Sequence, residues 1–314
     1  MPRVSSLPRR AFLQTLAGAA ATFAAPPVLA DEKGLQSRTP PDFQVLDLTV
    51  EGDKKLAQRF VLLIPQHLAK DERAPLLVLL HGLGEMGDPT MGVFAWVERY
   101  GLGTAYARLR RPPIARTSKN TSLLPDARVA ELNATLTAQP FRGMVIACPF
   151  TPNLGKTPNP PLAFDTYADW IADVVIPRAR KEAPVIPDAA HTAIDGVSLG
   201  GYIGLEVFLR RSSSFASWGG VQSAINAVRL PGYADKLAAI AGKTSRAPRT
   251  PAMFHLETSA ADPFHDVNLA FSRALAKKGV PHDFVSLPGP HDQPFLREAG
   301  TLEMLLWHDR RFRG

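Results

Sequence analysis

The chain has 314 residues, 45% hydrophobic and 21% charged, as expected of a globular protein with a sizeable core. Its formal charge is +7, but Arg3, Arg9 and Arg10 lie in the first thirty residues, which hold no Asp or Glu, and the rest of the chain carries +4. No lysine/arginine block with interleaved aromatics follows, so a nucleic-acid partner is not expected. The single cysteine, Cys148, excludes an intrachain disulfide and a cysteine-based zinc site.

The N-terminal stretch "LPRRAFLQTLAGAAATFAAPPVLA" sets paired arginines before an apolar run and closes on Val28-Leu29-Ala30, modest residues at the positions a signal peptidase reads. "RRAFL" resembles the bacterial twin-arginine export signal, although Pro8 and Gln14 depart from its usual flanks. The apolar run is too short and too rich in alanine and glycine to span a bilayer comfortably. The expectation is export through the twin-arginine machinery, cleavage after Ala30, and a periplasmic or secreted mature protein with no stable membrane insertion. Residues 31–314 are expected to form a single domain.

Alternating patterns at 43–50 and 57–65 predict an antiparallel hairpin. "PLLVLLHG" (75–82) is an unbroken apolar run, the mark of a strand buried on both faces of a parallel sheet. Similar runs at 144–150, 191–196, 217–223, 251–259 and 282–289 bring the count to about eight strands. Helical periodicity fills 92–109, 126–138, 163–183, 199–211, 233–241, 265–279 and 295–307. Strands alternating with helices predict an α/β fold, a mostly parallel sheet with helices on both faces. Loop insertions are expected near 85–142 and 151–161, where "RRPPIARTSKNTSLLP" and "TPNLGKTPNPP" read either as parts of a site wall or lid, or as plain surface loops.

One turn stands out. In "IDGVSLGGYIGLE" (194–206), Gly196-Val197-Ser198-Leu199-Gly200 matches G-x-S-x-G, with an apolar strand running in and a helical pattern running out. A serine on such a sharp turn needs small neighbours two positions away, which Gly196 and Gly200 supply. Ser198 is therefore the candidate nucleophile.

Here the chain resembles the α/β-hydrolase superfamily, and within it the esterase D, feruloyl esterase and polyhydroxybutyrate depolymerase-like serine esterases. The resemblance spans most of 43–307 and rests on the elbow, "HGLG" (81–84) and a late histidine. It implies an eight-stranded, mostly parallel sheet, the order Ser…Asp…His along the chain, hydrolysis of carboxylic esters and no cofactor. The substrate would be a small-molecule, carbohydrate or polyester ester.

The base and acid can also be sought directly. "SLPGPHDQPF" ends a strand and turns, presenting His291 on a loop from which a base can reach a serine. His255 and His282 fall inside strands. His67, His191 and His308 have no catalytic context, and His265 reads as surface. "FHLETSAADPF" places Asp262 just past the preceding strand, 29 residues before His291, where an acid can orient the imidazole. Asp266 falls in a helix, Glu257 in a strand, and Asp292 adjoins His291 too closely to bond its ring. An oxyanion needs preplaced N–H donors. One is expected from Leu199, the residue after the serine. By resemblance the other comes from Leu83, with Gly84 second, on a loop shaped by His81 and Gly82.

No H-E-x-x-H, EF-hand loop or dinucleotide fingerprint is present, and "GLGEMG" misses the last of these by its spacing. The rivals are an acyltransferase on the same triad, a peptidase of the prolyl-oligopeptidase type, disfavoured by the short N-terminal region, and a non-catalytic binding protein. Phe94, Trp96, Phe150, Phe164, Trp170 and Phe264 read equally as pocket lining or as core.

Overall fold

The computed structural model describes residues 38–244 and 253–313; the expected export segment lies outside them. Among the described residues eight strands form one sheet: β1 (Phe43–Thr49), β2 (Arg59–Pro65), β3 (Leu76–Leu80), β4 (Val145–Pro149), β5 (Thr192–Gly196), β6 (Ser217–Val221), β7 (Phe254–Ala261) and β8 (His282–Pro290). Their order is β1-β2-β4-β3-β5-β6-β7-β8. β2 pairs antiparallel with both β1 and β4, and every other pairing is parallel.

Burial follows the period-2 geometry of strands. All five residues of "LLVLL" in β3 are buried, with Leu76, Val78 and Leu80 in one core and Leu77 and Leu79 in the other. The first core is covered by α3 (Pro160–Trp170), α4 (Leu199–Arg210), α5 (Leu230–Thr244) and α6 (His265–Lys277). The second is covered by α1 (Leu102–Arg110), α2 (Asp126–Ala138) and α7 (Thr301–Arg311). Edge strand β1 is less deeply covered: Phe43 and Val45 pack on the second core and Leu46 and Leu48 on the first, while Gln44, Asp47 and Thr49 are exposed.

The helix expected over 92–109 is three pieces, Pro89–Val93, Ala95–Glu98 and α1. Gly101 takes φ 73° before α1, and a Cβ there would lie 3.0 Å from Arg297 Cα, so the break is set by a tertiary contact. The expected helix 163–183 widens into a π turn at Ile171–Val175. Pro177 follows and offers no N–H to residue 173. The expected helix 295–307 begins at Gln293 and carries a π turn at Leu296–Gly300.

The two long connections are packed. In the first, Ile114, Leu123 and Leu124 are buried. Glu298 accepts hydrogen bonds from Thr117 N (3.0 Å) and Ser118 N (2.8 Å) and pairs with Arg108 at 3.1 Å. In the second, Leu154 and Thr151 are fully buried.

The chain crosses from β4 over to the far side of β3 to enter β5, so the winding reverses between β3 and β5. In such sheets a crevice opens at the carboxyl ends of the strands at that point. Leu83 follows one of those ends and Ser198 the other.

Candidate active site

Ser198 caps α4 with φ 56° and ψ −117°, a region that residues with a side chain rarely occupy. The turn is held on both sides: Ser198 N–H donates to Val221 O (2.9 Å), and Ser198 O accepts from Ala224 N (2.9 Å). A Cβ on Gly196 would overlap the Gly200 carbonyl, and one on Gly200 would overlap the carbonyls of Leu80 and His81. Both glycines are thus required by close backbone approach, as the motif predicts. Leu199 is the first residue of α4, where an N–H has no acceptor inside the helix.

His291 and Asp262 meet. His291 Nδ1 is 2.8 Å from Asp262 Oδ1. The same oxygen accepts Phe264 N–H (3.0 Å), and Oδ2 accepts the Thr258 hydroxyl (2.7 Å). The Asp262 carboxyl is fully buried and its acceptors are met on several sides, which fixes its plane. An acidic acceptor at Nδ1 makes that nitrogen the protonated one and leaves the lone pair on Nε2. The Phe264 ring stands edge-on to the imidazole at 5.4 Å. β7, which carries Asp262, lies next to β8, which carries His291, and β6 alone separates this pair from the β5 elbow.

The rival acids are placed otherwise. The Asp266 side chain is fully exposed, beside His265. Asp292 caps the turn after His291 by accepting Phe295 N–H (2.9 Å). Glu257 lies inside β7, where burial, then the charges of Glu303 and Asp195, push its carboxyl well above the usual range. The other histidines have other partners: His67 Arg142 O, His191 Asp188, His282 Ser272, and His308 Asp195.

The "HGLG" loop is built from the inside. His81 is buried; Thr151 N–H donates to its Nε2 (2.9 Å), so the proton sits on Nδ1 and is donated to Gly82 O (2.8 Å). Burial drives its pKa down to about 4, against the pull of Gly82 O, and the ring is neutral. It ties the exit of β3 to the exit of β4. Gly82 N–H donates to the Tyr100 hydroxyl (3.2 Å), which donates in turn to buried Glu85. Burial raises the Glu85 carboxyl, opposed by Tyr100 and Arg99. A Cβ on Gly82 would lie 3.8 Å from Ser198 Cβ, so this loop passes directly over the elbow. Leu83 opens a one-turn 3-10 helix and is 49% exposed, with its N–H at the unsatisfied end of the turn. Gly84 has open space where a side chain would go, so sterics do not demand glycine there.

The Glu85–Tyr100 pair and Thr258 were not legible as site residues. Neither was Asp195, although an acid in the middle of a buried strand is itself a signal. Asp195 Oδ1 accepts Gly196 N–H (2.6 Å), and its Oδ2 takes the His308 Nε2 proton (2.8 Å). His255 Nδ1 stands 4.0 Å away, too far to bond. Burial alone would raise the Asp195 carboxyl; the two imidazoles outweigh it and hold it below the usual range. Of the six aromatics, Phe94, Trp96, Phe164 and Trp170 are core, whereas Phe150 and Phe264 are half-buried.

No protein-family model and no curated protein matches the sequence. Solved structures do match. A ferulic acid esterase shares 19% identity at a TM-score of 0.60, over 86% of this chain and 99% of its own. A substrate-bound fluorophosphonate-binding serine hydrolase of Staphylococcus aureus shares 14% at 0.56, over 85% and 98%. The feruloyl esterase module from Clostridium thermocellum, complexed with sinapinate, shares 12% at 0.53, over 90% and 92%. Strand order, switch point and these likenesses agree that the chain has the α/β-hydrolase fold.

Proposed function

We propose that the protein is a serine esterase that hydrolyses carboxylic esters through an acyl-enzyme on Ser198. The 2.8 Å pairing of His291 with Asp262, at the sheet end where Ser198 sits on its strained turn, supports it. In this mechanism Ser198 Oγ attacks the ester carbonyl carbon while His291 Nε2 takes its proton. The carbonyl oxygen, now negative, is received by the N–H groups of Leu83 and Leu199. Collapse breaks the bond to the alcohol oxygen, and the alcohol leaves with the proton from His291. Water then attacks the acyl carbon, giving its proton to His291. The carboxylic acid departs as Ser198 regains a proton. Asp262 keeps the Nδ1–H tautomer and offsets the imidazolium charge.

The test is hydrolysis of a chromogenic ester series running from acetyl to long acyl and to feruloyl esters, the last because two of the similar structures are named for feruloyl or ferulic acid esterase activity. Ser198→Ala should cut kcat by at least about 10⁴-fold, His291→Ala should match it, and the double variant should be hardly worse. Asp262→Asn should cost about 10⁴-fold, with Asp266→Asn and Asp292→Asn near wild type. A phosphonate probe should label Ser198 and spare Ser198→Ala. Turnover by folded Ser198→Ala at the wild-type rate would rule the proposal out.

A further inference from the structure

Among the described residues only Ser198 and Gln222 combine a side chain with positive φ, and Gln222 (φ 49°) has no motif to explain it. It follows β6 directly and is wholly buried. Its backbone N–H donates to Glu257 O (2.6 Å) in β7. Its side-chain amide donates to Ser259 Oγ (2.6 Å) and to Pro290 O (3.0 Å). The Ser259 hydroxyl also donates to Pro290 O (3.2 Å). A carbonyl can only accept, so the NH₂ end of the amide faces Pro290.

The neighbours of Gln222 matter as much as its own bonds. Val221 accepts the Ser198 N–H, and Ala224 donates to the Ser198 carbonyl. The segment 221–224 therefore brackets the elbow. Its strained residue reaches the other two chemical groups through Ser259, three residues before Asp262, and Pro290, one residue before His291. Left-handed backbone at Gln222 turns the chain so that its amide lies under both loops at once. An extended residue there would aim its side chain elsewhere.

We infer that Gln222 is a positioning residue that sets the spacing between Ser198 and the Asp262–His291 pair, by joining the end of β6 to the ends of β7 and β8. This rests on the serine-esterase proposal. It differs from a purely structural role in predicting loss of rate per folded molecule rather than loss of folded molecules. A misplacement of about 1 Å at a reacting group costs on the order of 10²-fold.

Three variants separate the contributions. Gln222→Gly relieves the backbone and removes the amide. Gln222→Met keeps the length of the side chain but has no N–H to donate to Ser259 Oγ or Pro290 O. Ser259→Ala removes only the hydroxyl shared between the loops. Active sites are titrated with the phosphonate probe, folding is followed by circular dichroism, and the proton shared by His291 Nδ1 and Asp262 is followed as a downfield NMR resonance. Gln222→Gly and Gln222→Met should stay folded, lose about 10²-fold in kcat with KM within a few-fold, and broaden or lose that resonance. Ser259→Ala should lose roughly 3- to 10-fold, and its milder change keeps the test open if a Gln222 variant fails to fold. Wild-type kcat per titrated site with an unchanged resonance, in the Gln222 variants that fold or in Ser259→Ala, would overturn the inference. If wild type neither hydrolyses esters nor takes the probe, the esterase proposal fails, while the resonance still reports whether Gln222 holds His291 on Asp262.

Discussion

Protonation of His81 should weaken the fold at mildly acidic pH, and the size of the effect follows from its surroundings. In the unfolded chain the imidazole titrates near 6.5, and in the fold burial brings it down to about 4. As pH falls below 6.5 the unfolded chain takes up this proton first, so the native state loses stability until its own pKa is reached. At about 1.4 kcal/mol per pH unit, the span from 6.5 to about 4 costs about 3 kcal/mol, close to fully developed by pH 4. Solvent screening does not reduce this much, because the ring is 1% exposed. Protonation of Nε2 would also cost the bond from Thr151 N–H and loosen the loop that carries Leu83. The assay is urea unfolding at pH 7.5 and pH 4 for wild type and His81→Gln. The variant starts less stable, since it loses the fit of the ring, but it carries no group that titrates there. Wild type should lose about 3 kcal/mol more than His81→Gln between the two pH values. Carboxylates contribute alike to both and cancel. Equal losses would mean that His81 is not the buried neutral donor described above.

The elbow glycines should be intolerant and their neighbour tolerant. Gly200→Ala drives a Cβ into two carbonyls and should abolish folding or shift thermal unfolding drastically, whereas Gly84→Ala, with open space, should change stability by less than about 1 kcal/mol. His308→Ala leaves Asp195 Oδ2 buried without its donor, with only the Gly196 N–H remaining on Oδ1, and should cost about 3–5 kcal/mol in chemical denaturation; under 1 kcal/mol would show that the pair is not formed. Mass spectrometry of protein from the native host should find an N-terminus at Asp31, and an intact Met1 chain confined to the cytoplasm would refute export.

The sheet was legible because its central strands are buried on both faces and so read as unbroken apolar runs, "LLVLL" and "VIACP" among them. The candidate triad was legible for a related reason. Its members sit just past strand ends, where the pattern stops abruptly and Gly, Pro and Asp gather, so Ser198 could be placed by its glycine motif and Asp262 and His291 by the strands they follow. The break at Gly101 was not legible, because helical periodicity continues through it and the cause is a backbone 196 residues away, at Arg297.

The groups that hold the site are harder to read than the groups proposed to react, and the reason is physical. A nucleophile, base or acid needs a particular atom, which restricts the residue type and leaves a motif. A support needs only a donor or acceptor at a given point in space, and many residues can bring one there. Gln222 reaches Pro290 across 68 residues of sequence and His308 reaches Asp195 across 113. Nothing local in "GGVQSAI" or "LLWHDRR" marks either. Gly219 carries a trace: a Cβ there would overlap Asp195 Oδ2, so the glycine in β6 and the acid in β5 are one feature split between two strands. The β5–β6 ladder accordingly runs from Ala193 and Ile194, skips Asp195, and resumes only at the Val197–Val221 bridge. That resumed pairing is next to the bond that fixes Ser198 N–H on Val221 O. The buried acid therefore lies at the gap between β5 and β6 while it stays paired with β3, and the chain meets β6 again only where Val221 O holds the Ser198 N–H.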